Sequence, residues 1–354
     1  MVIKLGNVEV GLSCPPYFIA DIAANHDGQL DRALKLIELA KESGAHAAKF
    51  QNFQADKIVC DRAFSSLNRQ QSHQSAWKKS VFEVYADASI PFDWTGYLKE
   101  KCDEVGIEYL TSPYDFESVD YVDSYLNYYK IGSGDITWLA ILEHIAGKGK
   151  PIVLATGASS MEDVERAVRV FSNVPLVLLQ CNTNYTAAHE NFKSLNLSVL
   201  SSYKDKFPQA VLGLSDHTFG HTSVLGAIAL GGRVIEKHFT DDRTRVGPDH
   251  KFSIVPREWK EMVKASNDLF NAMGDGIKKV EDNESETCII QRRSLYYTRN
   301  ISCGSVVAKE DIFPLRPVCT DGLLPYHVDD VVGRVLGVNV EKGQAVRRAD
   351  YDNR

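Results

Sequence analysis

The chain has 354 residues, too many for one small domain and enough for a large core with a smaller companion. Hydrophobic residues make up 44% and charged residues 25%, an ordinary balance for a soluble globular protein, and nowhere do about 18 apolar residues run together as a membrane span would require. The net charge of −7 argues against a general nucleic-acid binder, which needs a basic surface to displace counterions, but it leaves room for an anionic small molecule held by a local cluster of cations.

The start, Met1 to Gly11, lacks the apolar stretch of a signal peptide. Cys14, Cys60, Cys102, Cys181, Cys288, Cys303 and Cys319 are odd in number and scattered, with no CxxC pair, so free thiols in a reducing cytoplasm are expected. The segment 1–275 then alternates apolar runs with amphipathic stretches. The predicted strands are Tyr17–Asp21, Ala45–Gln51, Ile107–Ser112, Tyr128–Gly132, Pro151–Thr156, Leu176–Cys181, Val211–Ser215 and Val234–His238. Among the predicted helices, Leu30–Ser43 stacks Ala33 on Ile37 and Leu36 on Ala40, and Met161–Phe171 has Ser159 or Ser160 as a cap. Eight β–α units of this regularity predict an α/β fold of the TIM (β/α)8 type over an open doubly wound sheet.

Residues 276–290, within a charged stretch rich in Gly and acidic side chains, read as a linker, and 291–354 as a small β-rich domain. That tail repeats itself. Asn300-Ile301, Gly304, Val307 and Asp311-Ile312 recur as Asn339-Val340, Gly343, Val346 and Asp350-Tyr351, always 39 residues on, which predicts two strand–turn–strand halves packed pseudo-symmetrically.

A TIM barrel works at the C-terminal ends of its strands, so the polar residues that end each apolar run are the candidates. They are Asp21, Lys49 and Gln51, Ser112, Lys130 with Ser133 and Asp135, Thr156, Thr183 with Tyr185, Ser215 with His217, and Glu236 with His238. His217 and His238 close neighbouring strands, which suits a divalent metal with open positions; the plain alternative is two hydrogen-bonded core histidines. Lys49 and Lys130 sit in apolar strands, where an unpaired ammonium is costly. They are either structural partners of Asp21 or Asp135, or an anion site completed by the hydroxyls of Ser112, Ser133 and Ser215. Gly247-Pro248-Asp249-His250 is either a simple turn or a loop that aims Asp249 at substrate hydroxyls, and Tyr185 is a packing aromatic or a pocket wall.

The segments IADIAANHDG, AKFQNF, YKIGSGD, LATGAS, LGLSDHT, EKHFT and GPDH, in this order, resemble the sialic acid synthase family, and the tail from Arg292 resembles that family's antifreeze-like SAF (β-clip) domain. The resemblance implies a synthase that joins phosphoenolpyruvate to an N-acetylmannosamine-like amino-sugar aldehyde. It implies a divalent ion on His217 and His238, Mn²⁺ first with Mg²⁺ or Co²⁺ as alternatives. Phosphoenolpyruvate would meet Lys49, Ser112, Lys130, Ser133 and Ser215, helped by Thr183 and Tyr185, while the sugar would meet Gln51, Tyr185 and Asp249. Asp21, Asp135 and His238 would be the catalytic groups. Arg316 would reach the partner's pocket in a domain-swapped homodimer, with no nucleic acid or membrane partner.

Several positions depart from the family pattern. Asp21 and Asp135 stand where glutamates are expected, each one methylene shorter, a change read as a paired adjustment that water or a shifted substrate fills. Ala155 replaces a hydroxyl residue, Thr183 an asparagine of some relatives, and PVCTDGLLPYHVDD follows Arg316 where a Gly-rich turn is usual. These changes suggest a 6-deoxy or diacetamido sugar. Two other readings remain. A synthase for a phosphorylated sugar would need further cations, for which only Arg243 and Arg245 stand close to the Gly247 loop, and a non-catalytic sugar- or sugar-phosphate-binding barrel would explain the two aspartates.

Overall fold

A computed structural model describes residues 1–67, 74, 77, 79–186 and 188–351. The chain divides into two units between Gly274 and Asp275. The first opens with an antiparallel hairpin, β1 (Val2–Leu5) and β2 (Val8–Gly11). Eight parallel strands follow: β3 (Tyr17–Asp21), β4 (Ala47–Asn52), β5 (Glu108–Pro113), β6 (Tyr129–Ile131), β7 (Ile152–Ala155), β8 (Leu176–Cys181), β9 (Ala210–Asp216) and β10 (Val234–His238). They pair in the order β5-β4-β3-β10-β9-β8-β7-β6, and β5 and β6 at the two ends lie side by side, so the sheet curls into a nearly closed TIM-type barrel.

Alternation decides what the barrel holds. Tyr17 and Ile19 of β3, Ala47 of β4, Leu110 of β5, Val177 of β8 and Val234 of β10 meet inside the barrel, and Ile3, Leu5 and Val10 of the hairpin join the same cluster. Their neighbours Phe18, Phe50, Tyr109, Leu178 and Ile235 face outward against the helices. With a period of two, the next inward positions toward the strand ends are Asp21, Lys49, Ser112, Glu236 and His238. Thus a charged and polar layer sits on top of an apolar one. Lys237 points the other way, into a buried ion pair with Asp216 at 2.6 Å.

The outer helices form where the 3.6-residue pattern predicts them. Leu30–Glu42 buries Ala33, Leu36, Ile37 and Ala40. Met161–Val170 starts in a capping box: Ser160 Oγ accepts from the Asp163 N–H, and Asp163 accepts from the Ser160 N–H. No helix among the described residues is long and apolar enough to cross a membrane.

The second unit, Asp275–Arg354, begins with a region expected to be a bare linker, but a helix, Ser285–Gln291, occupies its end. Regular strand is sparse beyond it: β11 (Ser294–Tyr297) pairs with β12 (Ile312–Leu315), and isolated bridges link the rest. The internal repeat is structural. Ile301 and Val340 exchange backbone bonds at 2.9 and 3.0 Å, and Gly304 and Gly343 share φ +82°. Asn339 accepts from the Cys303 N–H and Asn300 from the Lys342 N–H, both at 2.8 Å. The two asparagines thus clamp opposite halves of a pseudo-twofold. Asn300→Ala and Asn339→Ala should each cost the second unit about 1 kcal/mol, and by nearly equal amounts, in urea denaturation of the full chain.

Candidate active site

At the C-terminal mouth of the barrel, four buried charges form a chain across neighbouring strands. Lys49 donates to Asp21 Oδ2 at 2.5 Å and lies 3.2 Å from Glu236 Oε1, while Lys130 lies 3.2 Å from Glu236 Oε2. All four side chains are buried. Lys130 therefore takes Glu236 as its ion-pair partner, where the sequence suggested Asp135. Burial would push the Glu236 carboxyl up, but Lys130 and Lys49 outweigh it and hold it at about 2. Burial works against the Lys49 ammonium too, and Asp21 and Glu236 overcome it, so its pKa is raised. Asp21 goes the opposite way from Glu236: burial raises it more than Lys49 lowers it. Two carboxyls in one cluster with pKa values pushed apart is the arrangement that separates proton-handling from charge-holding roles.

The two histidines stand beside this quartet. Their ring centroids are 5.4 Å apart, a spacing at which both can direct a nitrogen to one ion about 2.1 Å from each. Burial, with His238 adding to it, lowers His217 to about 3; burial and then Lys49 lower His238 to about 3. Both rings are neutral at physiological pH and keep a lone pair for a cation. His217 Nδ1 donates to the Asn182 carbonyl at 3.0 Å, which turns Nε2 into the free acceptor, and His238 Nδ1 is buried with no hydrogen-bond partner. Tyr185 and Phe252 pack against both rings. Among the described residues no group of three or more His, Cys, Asp or Glu side chains converges in metal-holding geometry.

The hydroxyls expected around an anion are placed by β5, β6 and β9. Ser112 Oγ is buried without a partner, and Ser215 is buried. Ser133 Oγ accepts from the Gly157 N–H at 2.9 Å. Gly157 keeps this cradle open, since a Cβ there would come within 2.3 Å of Thr183 Cγ2 and 3.0 Å of Ser133 Oγ. Asp135, half-buried in the turn after β6, is raised to about 6 by burial against the pull of Lys130.

A cavity of about 210 Å³ opens beside His238 and Tyr185 and is bordered by Gln51 and Asp249. Asp249 Oδ2 accepts from the Ala24 N–H at 3.1 Å, and burial raises its acid to about 7. The sequence reading brought together Asp21, Lys49, Gln51, Ser112, Lys130, Ser133, Thr183, Tyr185, Ser215, His217, His238 and Asp249 in this one region. Arg316 is exposed in the second unit, at the end of β12. Glu236 was named in the sequence only as a polar residue ending its strand, with no role assigned; it shares one face of β10 with Val234 and His238 and becomes the partner of both lysines. Tyr114, whose hydroxyl would lie 3.3 Å from a Cβ at Gly132, was missed, since it follows β5 in no motif that marks it.

The chain is similar to known proteins along nearly its whole length. The NeuB family matches residues 36–278, and the SAF domain matches 292–352. An N,N'-diacetyllegionaminic acid synthase of Legionella pneumophila is 33% identical, covering 94% of both chains. A pseudaminic acid synthase of Campylobacter jejuni is 32% identical over 95% of this chain and 96% of its own. Human N-acetylneuraminate-9-phosphate synthase is 30% identical over 97% of this chain and 95% of its own. The crystal structure of an N-acetylneuraminic acid synthetase from Leptospira borgpetersenii superposes with a TM-score of 0.71 at 29% identity, over 81% of this chain and 95% of that one.

Two predictions follow from the electrostatics. Glu236→Gln leaves two buried ammoniums short of a carboxylate and should lower Tm by roughly 10 °C in thermal melts, in line with about 3–5 kcal/mol for breaking a buried pair. Asp249 binds its proton more tightly folded, at about 7, than at its ordinary 3.8. The stability this adds is complete below about pH 4 and is lost as pH rises through about 7. Asp249→Asn should therefore melt above the parent at about pH 8, with the gap closing toward pH 4; a gap independent of pH contradicts the assignment.

Proposed function

The chain belongs to the NeuB family, and we propose that it condenses phosphoenolpyruvate with the aldehyde of an N-acetylmannosamine-like amino sugar, giving a nonulosonic acid and inorganic phosphate. The observation that carries this reading is the convergence, at one barrel mouth, of two neutral imidazoles, two buried ammoniums and the unpartnered hydroxyl of Ser112.

Lys49 and Lys130 with Ser112, Ser133, Ser215 and Thr183 would hold the carboxylate and phosphate of phosphoenolpyruvate, lysines as point charges and hydroxyls as the directional donors. Gln51, Tyr185 and Asp249 would orient the sugar in the adjoining cavity. The neutral rings and the orphaned His238 Nδ1 fit a divalent ion, Mn²⁺ with Mg²⁺ or Co²⁺ as alternatives, which supplies Lewis-acid polarisation of the aldehyde oxygen. C3 of phosphoenolpyruvate forms the new bond to that carbonyl carbon, water adds at C2, and the C2–O bond breaks to expel phosphate. Asp21 and Asp135, both raised, would take and return the protons of water and intermediate. In a domain-swapped homodimer, Arg316 of one protomer would complete the site of its partner. The free thiols of all seven cysteines accord with the cytoplasm as its place of work.

Phosphate release, followed with phosphoenolpyruvate, Mn²⁺ and a panel of 2-acetamido hexoses, tests the reading. Release should require all three components, stop with a chelator and return with added Mn²⁺. His217→Ala and Lys130→Met should each lower kcat/KM by about 10³-fold or more, roughly 4 kcal/mol of transition-state stabilisation. Absence of release with every sugar would instead favour a binding barrel.

A further inference from the structure

His217 and His238 stand at the ends of β9 and β10, and the residues just before them, Asp216 and Lys237, are level with each other in the sheet. Side chains alternate along a strand, so these two face the helices. Two residues earlier, Leu214 and Ile235 fill that side with apolar packing. At the strand ends it holds a buried ion pair instead. Lys237 Nζ donates to Asp216 Oδ2 and to the Thr218 carbonyl, both at 2.6 Å. Asp216 Oδ1 accepts from the Thr218 N–H at 3.0 Å and from Thr218 Oγ1 at 2.8 Å. Ser223 Oγ, on the helix Thr222–Ala229, donates to Asp216 Oδ2 at 2.6 Å. Asp216, Thr218, Ser223 and Lys237 are all buried.

We propose that Lys237 and Asp216 are positioning residues, which tie the chain around His217 to the residue before His238 and so set the spacing of the two imidazoles. This deepens the synthase reading and rests on its cation at the histidine pair. The sheet register between β9 and β10 runs only to Asp216 and Lys237, so beyond that level the side-chain network takes over from the backbone ladder. It holds His217 from both sides, through Asp216 before it and through the N–H and carbonyl of Thr218 after it. The His238 ring supplies little of this order itself: its Nδ1 has no partner, and its Nε2 lies 3.6 Å from Asp21. Stability alone is a poor account of the pair, because apolar side chains of similar volume in such a place are often as stable or more so. Groups behind metal-binding histidines act by holding the ligands at the right distance before the ion arrives.

The test titrates the metal-free, full-length protein calorimetrically with Mn²⁺ alone, without sugar or phosphoenolpyruvate. Asp216→Asn combined with Lys237→Met removes the tie between the strands, leaves no lone buried charge and keeps an acceptor for the Thr218 N–H. This double variant should melt within about 5 °C of the parent yet bind Mn²⁺ about 10-fold or more weakly. Ser223→Ala, which removes one bond to Asp216, should weaken Mn²⁺ by about threefold. A pair with a structural role alone would change the melting temperature and leave the affinity of the folded protein as it was. In the metal-free double variant the imidazole carbon NMR signals of His217 and His238 should shift or multiply. Parental Mn²⁺ affinity in the folded double variant, or in Ser223→Ala should the double variant fail to fold, overturns the proposal. If His217→Ala binds Mn²⁺ as the parent does, the cation part of the synthase reading falls, and the imidazole signals then decide: unmoved signals overturn the positioning role, and displaced ones uphold it.

Discussion

An ammonium group inside a β-barrel keeps its charge only if carboxylates are built in beside it, and the mouth of this barrel is arranged around that constraint. Glu236 lies between Lys49 and Lys130, and Asp21 closes the chain at the other end of Lys49. Two positive and two negative side chains make a quartet that is balanced before any ligand arrives. Such a cluster holds its geometry without solvent, but its net attraction for an anion is small. The directional pull then has to come from hydroxyls and backbone N–H groups, which is where Ser112, Ser133 and the Gly157 turn stand. A divalent cation at the neutral histidines would add the positive charge that the quartet lacks.

The loops above this layer are tied down by a separate network. Asp27 accepts from Arg245 and lies 2.8 Å from His250 Nε2, and Arg32 reaches both Asp27 and Asp241. His250 Nδ1 meets Thr240 at 2.8 Å, and Asn25 donates to the Phe239 carbonyl and to Ser253, each at 2.9 Å. The loop after β10 is therefore stitched to the loop after β3. Ser253 Oγ donates to the Asp249 carbonyl and the Ala24 N–H to its carboxyl, so Asp249 is fixed at both its backbone and its side chain. The segments NHDG and GPDH, far apart in sequence, read as the two sides of this seam. Loops already fixed in this way need little further ordering when a ligand binds against them.

Much of the barrel was legible because a strand buried on both faces is a continuous apolar run. Tyr17–Asp21, Leu176–Cys181 and Val234–His238 have the bounds expected, and the other strands shift by a residue or two at their ends. The site was legible for the same reason: a charge at the end of such a run has nowhere to go but the mouth. The N-terminal hairpin escaped notice since each of its strands has four residues and only two in each are buried. The Ser285–Gln291 helix escaped because its neighbours are charged and its own residues are not buried, so no apolar face advertises it. Much of the wall of the cavity beside His238 lies on loops and short helices between β4 and β5, and what makes it a wall is tertiary convergence that no periodicity encodes.

Asp21 and Asp135, the two positions where the resemblance leads one to expect glutamates, sit in different surroundings. Asp21 is paired in the sheet with Lys49 on one side and with His238 on the other. Its backbone is already level with both partners, and a single methylene brings Oδ2 to 2.5 Å from Lys49 Nζ and 3.6 Å from His238 Nε2. Asp135 stands instead in a turn, Ser133–Asp135, where burial raises its pKa more than Lys130 lowers it. An acid raised to about 6 is poised to exchange a proton near neutral pH, whereas a carboxylate drawn onto Lys130 would be held ionised. Both acids are thus raised by burial, Asp21 in level register with Lys49 and His238 and Asp135 in a turn where Lys130 has the weaker influence.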